Sequence, residues 1–184
     1  HTVFCISNLK NTHIPHTVLD GMQYAFENNY DYVITMDAGL SHLPEEIPVF
    51  LGSPPADLVL GVRTMKKNLP LYRSILSRSA TCCYNFILKP VGSSLPKSNL
   101  KDITTGFRRY SRAAMALLLE RRKEQKLKAR SFDFLTESLT LIYRNKLNIS
   151  EVPISYNYSN SSLNKKVILD SLRMFLNLAF SRRR

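Results

Sequence analysis

The segment 32–44 constrains the fold of this chain more than any other stretch. Its first residues, Tyr32–Met36, form a β-branched and aromatic run typical of a buried strand, and the run ends on Asp37. Small residues follow, and then Ser41 and His42. A buried strand of this kind places its terminal carboxylate at the carboxyl edge of a sheet, where ligands bind in open α/β folds. Taken alone, the pattern fits equally an Asp that only caps a turn.

Strand and helix patterns alternate along the rest of the chain. The 184 residues are enough for one domain with a sizeable core. The alternation predicts an α/β fold with a mostly parallel sheet. Further strands are expected at Val3–Ser7, Asp57–Arg63 and Ser150–Tyr156, and helices at Thr17–Asn28, Pro44–Pro48, Leu71–Leu88, Ser111–Lys126, Phe134–Arg144 and Val167–Phe180.

The charge and the cysteines limit the class of protein. A net charge of +12 implies an acidic partner, which could be nucleic acid, anionic lipid or a phosphate-bearing substrate. Nucleic acid ranks last because no recognisable nucleic-acid-binding motif occurs. Cys5, Cys82 and Cys83 are neither a disulfide framework nor a metal-type spacing, which favours a reducing, cytoplasmic compartment. No apolar run is long enough to predict a transmembrane helix.

Five motifs in a fixed order carry a family resemblance that covers about Thr17–Leu163. They are Asp37-Ala38-Gly39, Gly61-Val62-Arg63, Ser77-Arg78, Asp102-Ile103-Thr104-Thr105-Gly106-Phe107-Arg108 and Glu151-Val152-Pro153-Ile154. The set resembles glycosyltransferase family 2, in the branch of dolichol-phosphate mannose synthase and its bacterial polyprenyl-phosphate relatives. The resemblance implies a GT-A fold and inverting transfer of a sugar from a nucleotide-sugar donor to a polyprenyl-phosphate or glycan acceptor.

The resemblance also implies how the chain is divided. Residues 1–164 correspond to a partial GT-A catalytic domain, and we expect the first β-α-β portion of the family, which binds base and ribose, to be missing. From their own pattern of apolar and basic residues, residues 165–184 are expected to form a basic amphipathic helix. It suits a peripheral position on the cytoplasmic face of an anionic membrane, or it is an ordinary core helix with a solvated basic tail.

A metal site is implied at Asp37, which matches the first metal-binding acid of the family. Mg²⁺ or Mn²⁺ would be the ion expected with carboxylate ligands. The family's second acid is Gly39 here, which places that cofactor in doubt. Ser41 or His42 could substitute. The favoured interpretation of His42, however, is a turn residue that is hydrogen-bonded to nearby backbone.

Cations and hydroxyl groups supply the remaining candidate residues. Arginine matches phosphate with a planar set of donors, although any one arginine could be an ordinary surface residue. By resemblance, Asp102, Arg63 and Arg108 are the candidate catalytic residues. An anionic phosphate acceptor needs no strong base, whereas a sugar hydroxyl needs one, and Asp102 is the first candidate for it. Substrate-binding candidates are Arg78, Thr104, Thr105, Gly106, Ser161, Ser162 and Lys165.

Two departures keep a second interpretation open. Gly39 and the missing front portion also fit a non-catalytic binding module with a transferase-like fold. The segment after Ile154 lacks the Arg and the Gly-x-Ser-Lys of the polyprenyl-phosphate enzymes, which leaves the acceptor undecided. Asp133 and Glu137 are weaker site candidates, placed by an aromatic-then-Glu pattern similar to that of the family.

Overall fold

The computed structural model describes residues 13–39, 41–88, 99–158 and 172–176, together with Cys5, Ser7, Asn11 and Leu169. In chain order the elements are α1 (His13–Glu27), β1 (Tyr32–Thr35), a 3₁₀ turn (Pro44–Glu46), α2 (Ile47–Leu51), β2 (Leu58–Lys67), α3 (Leu71–Ile87), β3 (Arg108–Ser111), α4 (Arg112–Lys123), α5 (Phe134–Arg144) and β4 (Ile149–Asn157). The predicted strand Val3–Ser7 falls mostly outside the described residues.

Within the described residues the sheet has four strands in the order β1-β3-β2-β4. β2 pairs parallel with β4, while β3 pairs antiparallel with both β1 and β2. Three of the four strands therefore run in one direction and β3 runs against them, so the sheet is mixed, with two antiparallel pairings and one parallel pairing. The α/β class is confirmed, and the architecture is consistent with a GT-A fold.

β3 was not predicted, because a strand that begins with two arginines has no strand signal in its sequence. Arg108, Arg109 and Tyr110 are nevertheless all buried. The following Ser111 caps α4, since its hydroxyl accepts a hydrogen bond from the Ala114 amide at 3.2 Å. That cap lets the chain turn from the strand directly into the helix.

β2 is longer than its sequence pattern predicts. The predicted strand ended at Arg63, but the structure continues it to Lys67. The register against β4 shifts between Arg63 and Met65, so the strand contains an irregularity at Thr64. Irregularities of this kind redirect neighbouring side chains. Arg63 thus lies within the strand rather than at its end.

Two apolar clusters cover opposite faces of the sheet. Alternate residues of β2 enter different clusters: Leu58 and Leu60 join the larger one with α1, α4 and α5, while Val59 packs with Phe50 and Phe107. The larger cluster also includes Met174, from the segment in which a basic C-terminal helix was predicted. In the described part of the chain, no helix has the length and hydropathy needed to cross a bilayer.

Candidate functional site

The loop 102–106, which precedes β3, brings the central charged pair together. Asp102 lies in this loop and Arg63 on β2, and the two form a bidentate ion pair. Arg63 Nε donates to Asp102 Oδ2 at 2.7 Å and Arg63 Nη2 to Oδ1 at 2.9 Å. Both side chains are largely buried, at 11% and 5% exposed. The structure therefore joins two residues that lie 39 positions apart in sequence.

Two hydroxyl groups complete this cluster. Arg63 Nη2 donates to Ser77 Oγ on α3 at 2.9 Å and also to Thr104 Oγ1. The two hydroxyls are themselves 2.8 Å apart. The Arg63 guanidinium also lies 5.0 Å from the centre of the Tyr156 ring. Ser77 lies within one sequence motif and Tyr156 lies two residues after another, but nothing in the sequence alone assigned them to the site.

The bonding of Asp102 decides what its carboxylate can do. Burial favours the neutral acid, but Arg63 and the Thr104 amide and hydroxyl outweigh it and hold the pKa of Asp102 below its ordinary value. Oδ1 accepts from Arg63, from the Thr104 amide at 3.0 Å and from the Thr104 hydroxyl at 2.9 Å. A lowered pKa makes a carboxylate a weaker general base. The role of Asp102 as a base stays a prediction, and in this structure its carboxylate holds the Arg63 guanidinium in place.

Glu151 of β4 fixes the start of the loop. Its Oε1 accepts hydrogen bonds from the Lys101 amide at 2.6 Å and the Asp102 amide at 3.4 Å. Burial raises the pKa of Glu151, although these amides oppose the shift. The glutamate of the Glu-Val-Pro-Ile motif therefore has a local structural role that its sequence position did not indicate.

The other end of the loop contacts Asp37. A Cβ atom added at Gly106 would lie 2.8 Å from Asp37 Oδ1, so a larger residue here would force the end of the Asp37 side chain to move. The hydroxyl of Thr35, at the end of β1, donates to the Gly106 carbonyl at 2.8 Å and holds the two segments together. The loop thus brings Asp37 and the Arg63–Asp102 pair to one region of the sheet. The side chain of Asp37 is 53% exposed, which leaves it accessible to a ligand.

His42 is buried behind Asp37. Its ring lies between Phe107 and Tyr156, with centroid distances of 5.2 Å and 5.5 Å. His42 Nδ1 is 3.7 Å from Asp37 Oδ2. Neither ring nitrogen has a hydrogen-bond partner among the described residues, so the expected bond to backbone is absent. Burial lowers the pKa of His42 despite the opposing charge of Asp37, which favours the neutral imidazole.

Arg108 has a different place from the one expected of a catalytic arginine. Its side chain is completely buried. It donates to three backbone carbonyls, those of Thr105 at 2.9 Å, Leu135 at 2.7 Å and Ile103 at 2.6 Å. A buried guanidinium with these partners connects the loop to α5 and does not face a substrate. The contacts that the structure shows for Arg108 are structural, and its catalytic role stays a prediction.

Arg78 is on the exposed side of the site. It lies one residue after Ser77 on α3 and lines a surface groove of about 400 Å³. Lys101 contributes a second cation to this groove, while Cys82 and Phe86 give it an apolar part. The groove therefore combines positive charge with apolar surface directly beside the buried cluster.

The other candidates divide into three groups. Thr105 is buried, and its hydroxyl accepts from the Phe107 amide at 3.2 Å, so it supports the loop. Asp133 and Glu137 accept backbone amides of residues 128–131, which makes them structural. Ser161, Ser162 and Lys165 lie outside the described residues.

The residues present fit a divalent cation only in part. Asp37 supplies an exposed carboxylate, and Gly39 supplies no side-chain ligand. In the ranges that the structure describes, no three side chains of His, Cys, Asp or Glu converge on one point. The unpartnered nitrogens of His42 beside Asp37 are the one observation that indicates a further ligand.

No family model matches the chain. Three curated proteins are similar to it over most of its length. The chain is 28% identical over 88% of its residues to a UDP-N-acetylglucosamine–dolichyl-phosphate N-acetylglucosaminyltransferase of Methanococcus voltae. It is 29% identical over 75% to a polyprenol monophosphomannose synthase of Mycolicibacterium smegmatis, and 28% identical over 74% to an undecaprenyl-phosphate mannosyltransferase of Micrococcus luteus. The chain spans 62%, 50% and 53% of the lengths of these three relatives.

Proposed function

We propose that this chain, a homologue of the family 2 polyprenyl-phosphate glycosyltransferases, carries part of a site that transfers a sugar from a nucleotide-sugar donor to a polyprenyl phosphate. All three relatives are named for transfer to, or synthesis on, a dolichyl, polyprenol or undecaprenyl phosphate. The transfer inverts the anomeric centre, because the acceptor oxygen attacks in line with the departing diphosphate.

The hydrogen bonds and the pKa of Asp102 are the observations that favour one kind of acceptor over the other. A sugar hydroxyl must lose a proton as it attacks, which needs a carboxylate with a free lone pair and a suitable pKa. Asp102 is held by Arg63 and Thr104 and has a lowered pKa. A phosphate monoester oxygen is already anionic, so orientation and charge compensation supply the rate without a base. The site therefore favours a lipid phosphate over a glycan hydroxyl.

The groove beside α3 suits such an acceptor. Arg78 and Lys101 offer positive charge to a phosphate, and Phe86 with Cys82 offers apolar surface to the first isoprene units. Arg63 is compensated by Asp102, so the exposed Arg78 is the stronger candidate for direct contact with a phosphate. Thr104 and Gly106 would then orient the reacting groups between Asp37 and the Arg63–Asp102 pair.

The surface of α3 supports a peripheral position on a membrane. Leu71, Ile75 and Phe86 are 76%, 55% and 66% exposed, and their spacing places them on one face of the helix with Arg78. In the C-terminal segment, Leu172 and Leu176 are exposed as well. Apolar side chains together with cations are typical of a surface that lies on anionic lipid.

Binding of the donor tests the proposal directly. Calorimetric titration of this chain with GDP- and UDP-sugars, with and without Mn²⁺, is expected to show binding that needs the metal and is lost in Asp37→Ala. Asp31→Asn, at an exposed acid before β1, is the matched control and should bind like the parent chain. Metal-independent binding that Asp37→Ala leaves unchanged would favour a non-catalytic module, and no binding at all would show that this chain alone does not hold a donor site.

A further inference from the structure

A cavity of about 390 Å³ lies between the connection from α4 to α5 and the C-terminal segment 172–176. Its volume is within the range of about 300–1,000 Å³ that is typical of small-molecule sites. Lys128, Arg130 and Arg173 contribute three cations to the lining and Asp133 one carboxylate, so the lining has a net charge of two positive. The cavity shares no lining residue with the groove beside α3.

The positive charge of this cavity is not compensated by neighbouring acids. Lys128 and Arg130 are exposed, whereas Leu127 and the alanine at position 129 are half-buried and pack against the larger apolar cluster. Arg173 is exposed as well. None of the three cations forms an ion pair with another described residue. The cations are therefore available to an anion that enters from solvent.

Two buried carboxylates of α5 and its N-cap hold the connection in place. Glu137 Oε1 accepts a hydrogen bond from the Lys128 amide at 2.8 Å. Asp133 Oδ1 accepts one from the Arg130 amide at 3.0 Å. Each carboxylate also accepts the next amide along the chain. Because these carboxylates bond to the backbone, they fix the positions of the two cations without pairing with their side chains.

Exposed leucines beside Arg173 indicate which kind of molecule carries the anion. Leu169, Leu172 and Leu176 are each more than half exposed, and their spacing of three and four residues is that of one helix face. Met174 is buried instead and packs into the larger apolar cluster. Exposed leucines next to a cationic cavity suit a lipid whose headgroup enters the cavity while its chains stay in the bilayer.

We propose that this cavity binds the phosphomonoester headgroup of an anionic membrane lipid, with Lys128, Arg130 and Arg173 around the phosphate. A phosphomonoester carries about 1.5–2 negative charges near neutral pH, which matches the net charge of the lining, whereas a phosphodiester carries a single charge. The planar donors of the two arginines also fit phosphate oxygens. This inference rests on the proposed function for the peripheral membrane position alone and does not require sugar transfer.

The test compares vesicles that contain phosphatidic acid, a phosphomonoester, with vesicles of equal surface potential that contain phosphatidylglycerol, a phosphodiester. In cosedimentation we expect the full chain to bind the phosphatidic acid vesicles at least tenfold more tightly. One cation near an anionic surface contributes about fivefold to binding. Lys128→Gln with Arg130→Gln is therefore expected to lower binding to phosphatidic acid at least tenfold and to remove the preference. Lys67→Gln with Lys146→Gln, at two exposed lysines outside the cavity, removes the same charge and should keep the preference.

Several results would overturn the proposal. The first is equal binding of the parent chain to the two kinds of vesicle, which does not depend on any variant. The second is an equal loss of the preference in the two double variants. Competition by glycerol 3-phosphate at the concentration of the lipid would assign the cavity to a soluble phosphate, and tighter binding of single-stranded RNA than of either vesicle would assign it to nucleic acid. No nucleotide sugar is present, so a chain that shows the preference but transfers no sugar would contradict the proposed function alone.

Discussion

At the residue scale, the Arg63–Asp102 pair is the interaction on which the site depends. Removing one partner of a buried pair leaves an uncompensated charge and typically costs about 3–5 kcal/mol. We therefore expect Asp102→Asn to lower the free energy of unfolding at pH 7 by about 3 kcal/mol in urea denaturation. Asp31→Asn, at an exposed site, should change it by less than about 0.5 kcal/mol.

The same pair predicts how stability depends on pH. The pKa of Asp102 is lower in the folded chain than in the unfolded chain. Its contribution is therefore complete above the unfolded value of about 4 and is lost as the pH falls through the folded value. Between pH 7 and pH 3 the parent chain should lose more stability than Asp102→Asn does. Parallel pH profiles for the two proteins would show that the pair is not formed.

Gly106 provides a steric test of the contact with Asp37. A methyl group at this position would lie 2.8 Å from Asp37 Oδ1, so Gly106→Ala must displace the carboxylate or the loop. We expect metal-dependent donor binding to fall at least tenfold, measured by calorimetry, with little change in circular dichroism. Gly21→Ala has no neighbour within 4 Å of the new Cβ and should bind normally. Unchanged donor binding in Gly106→Ala would show that the position of the Asp37 carboxylate does not affect the donor site.

At the scale of the elements, Arg108 connects the loop 102–106 to α5. Its three carbonyl partners belong to Ile103, Thr105 and Leu135. Arg108→Met would remove three hydrogen bonds to backbone carbonyls, of which that of Leu135 keeps the Ser138 hydroxyl as a donor, so we expect a loss of about 3 kcal/mol in urea unfolding. Lys123→Met, at an exposed position of α4, should have almost no effect. Comparable stability of the two variants would contradict the structural role of Arg108.

Because exposed apolar side chains lie along one face of α3, we expect this helix to bind lipid. We expect the chain to cosediment with vesicles that contain anionic lipid, and Ile75→Asp with Phe86→Asp to reduce that binding at least tenfold. Leu51→Asp, at an exposed leucine of α2, places a similar charge elsewhere and should leave the binding unchanged. Equal loss of vesicle binding in the α3 double variant and in Leu51→Asp would indicate a general effect of added negative charge rather than a defined lipid-binding surface.

Prediction from sequence succeeded where periodicity and local pattern determine structure. The structure begins and ends α5 at the predicted residues, Phe134 and Arg144, and α3 extends from Leu71 to one residue short of its predicted end. β3 was missed because its buried arginines donate hydrogen bonds to backbone carbonyls of other segments, such as that of Arg109 to the Phe50 carbonyl. A local pattern contains no information about partners of that kind.

The candidate site shows the same limit. The ordered motifs named Arg63, Asp102 and Thr104 as candidates, but they did not distinguish a contact with substrate from a contact within the protein. Asp102 and Arg108 both proved to be bonded internally. The unpartnered imidazole of His42 depends on the packing of three separate segments, and no spacing rule predicts it.

At the scale of the whole molecule, the chain combines an α/β sheet, a charged cluster at one region of that sheet and an apolar helix face beside it. Its net charge of +12 suits both acidic partners of the proposal, which are the phosphate of the substrate and the anionic lipid of a membrane. The central claim is that the acceptor arrives as an anion and needs no protein base. That claim distinguishes a lipid phosphate from any acceptor that reacts through a hydroxyl group.

The most direct measurement offers the chain a labelled nucleotide sugar, Mn²⁺ and either a short polyprenyl phosphate or the corresponding polyprenol. We predict a labelled lipid product from the phosphate and none from the alcohol, with activity abolished in Asp37→Ala. Transfer to the alcohol or to a glycan hydroxyl, or no product from the phosphate under conditions in which the donor binds, would contradict the account.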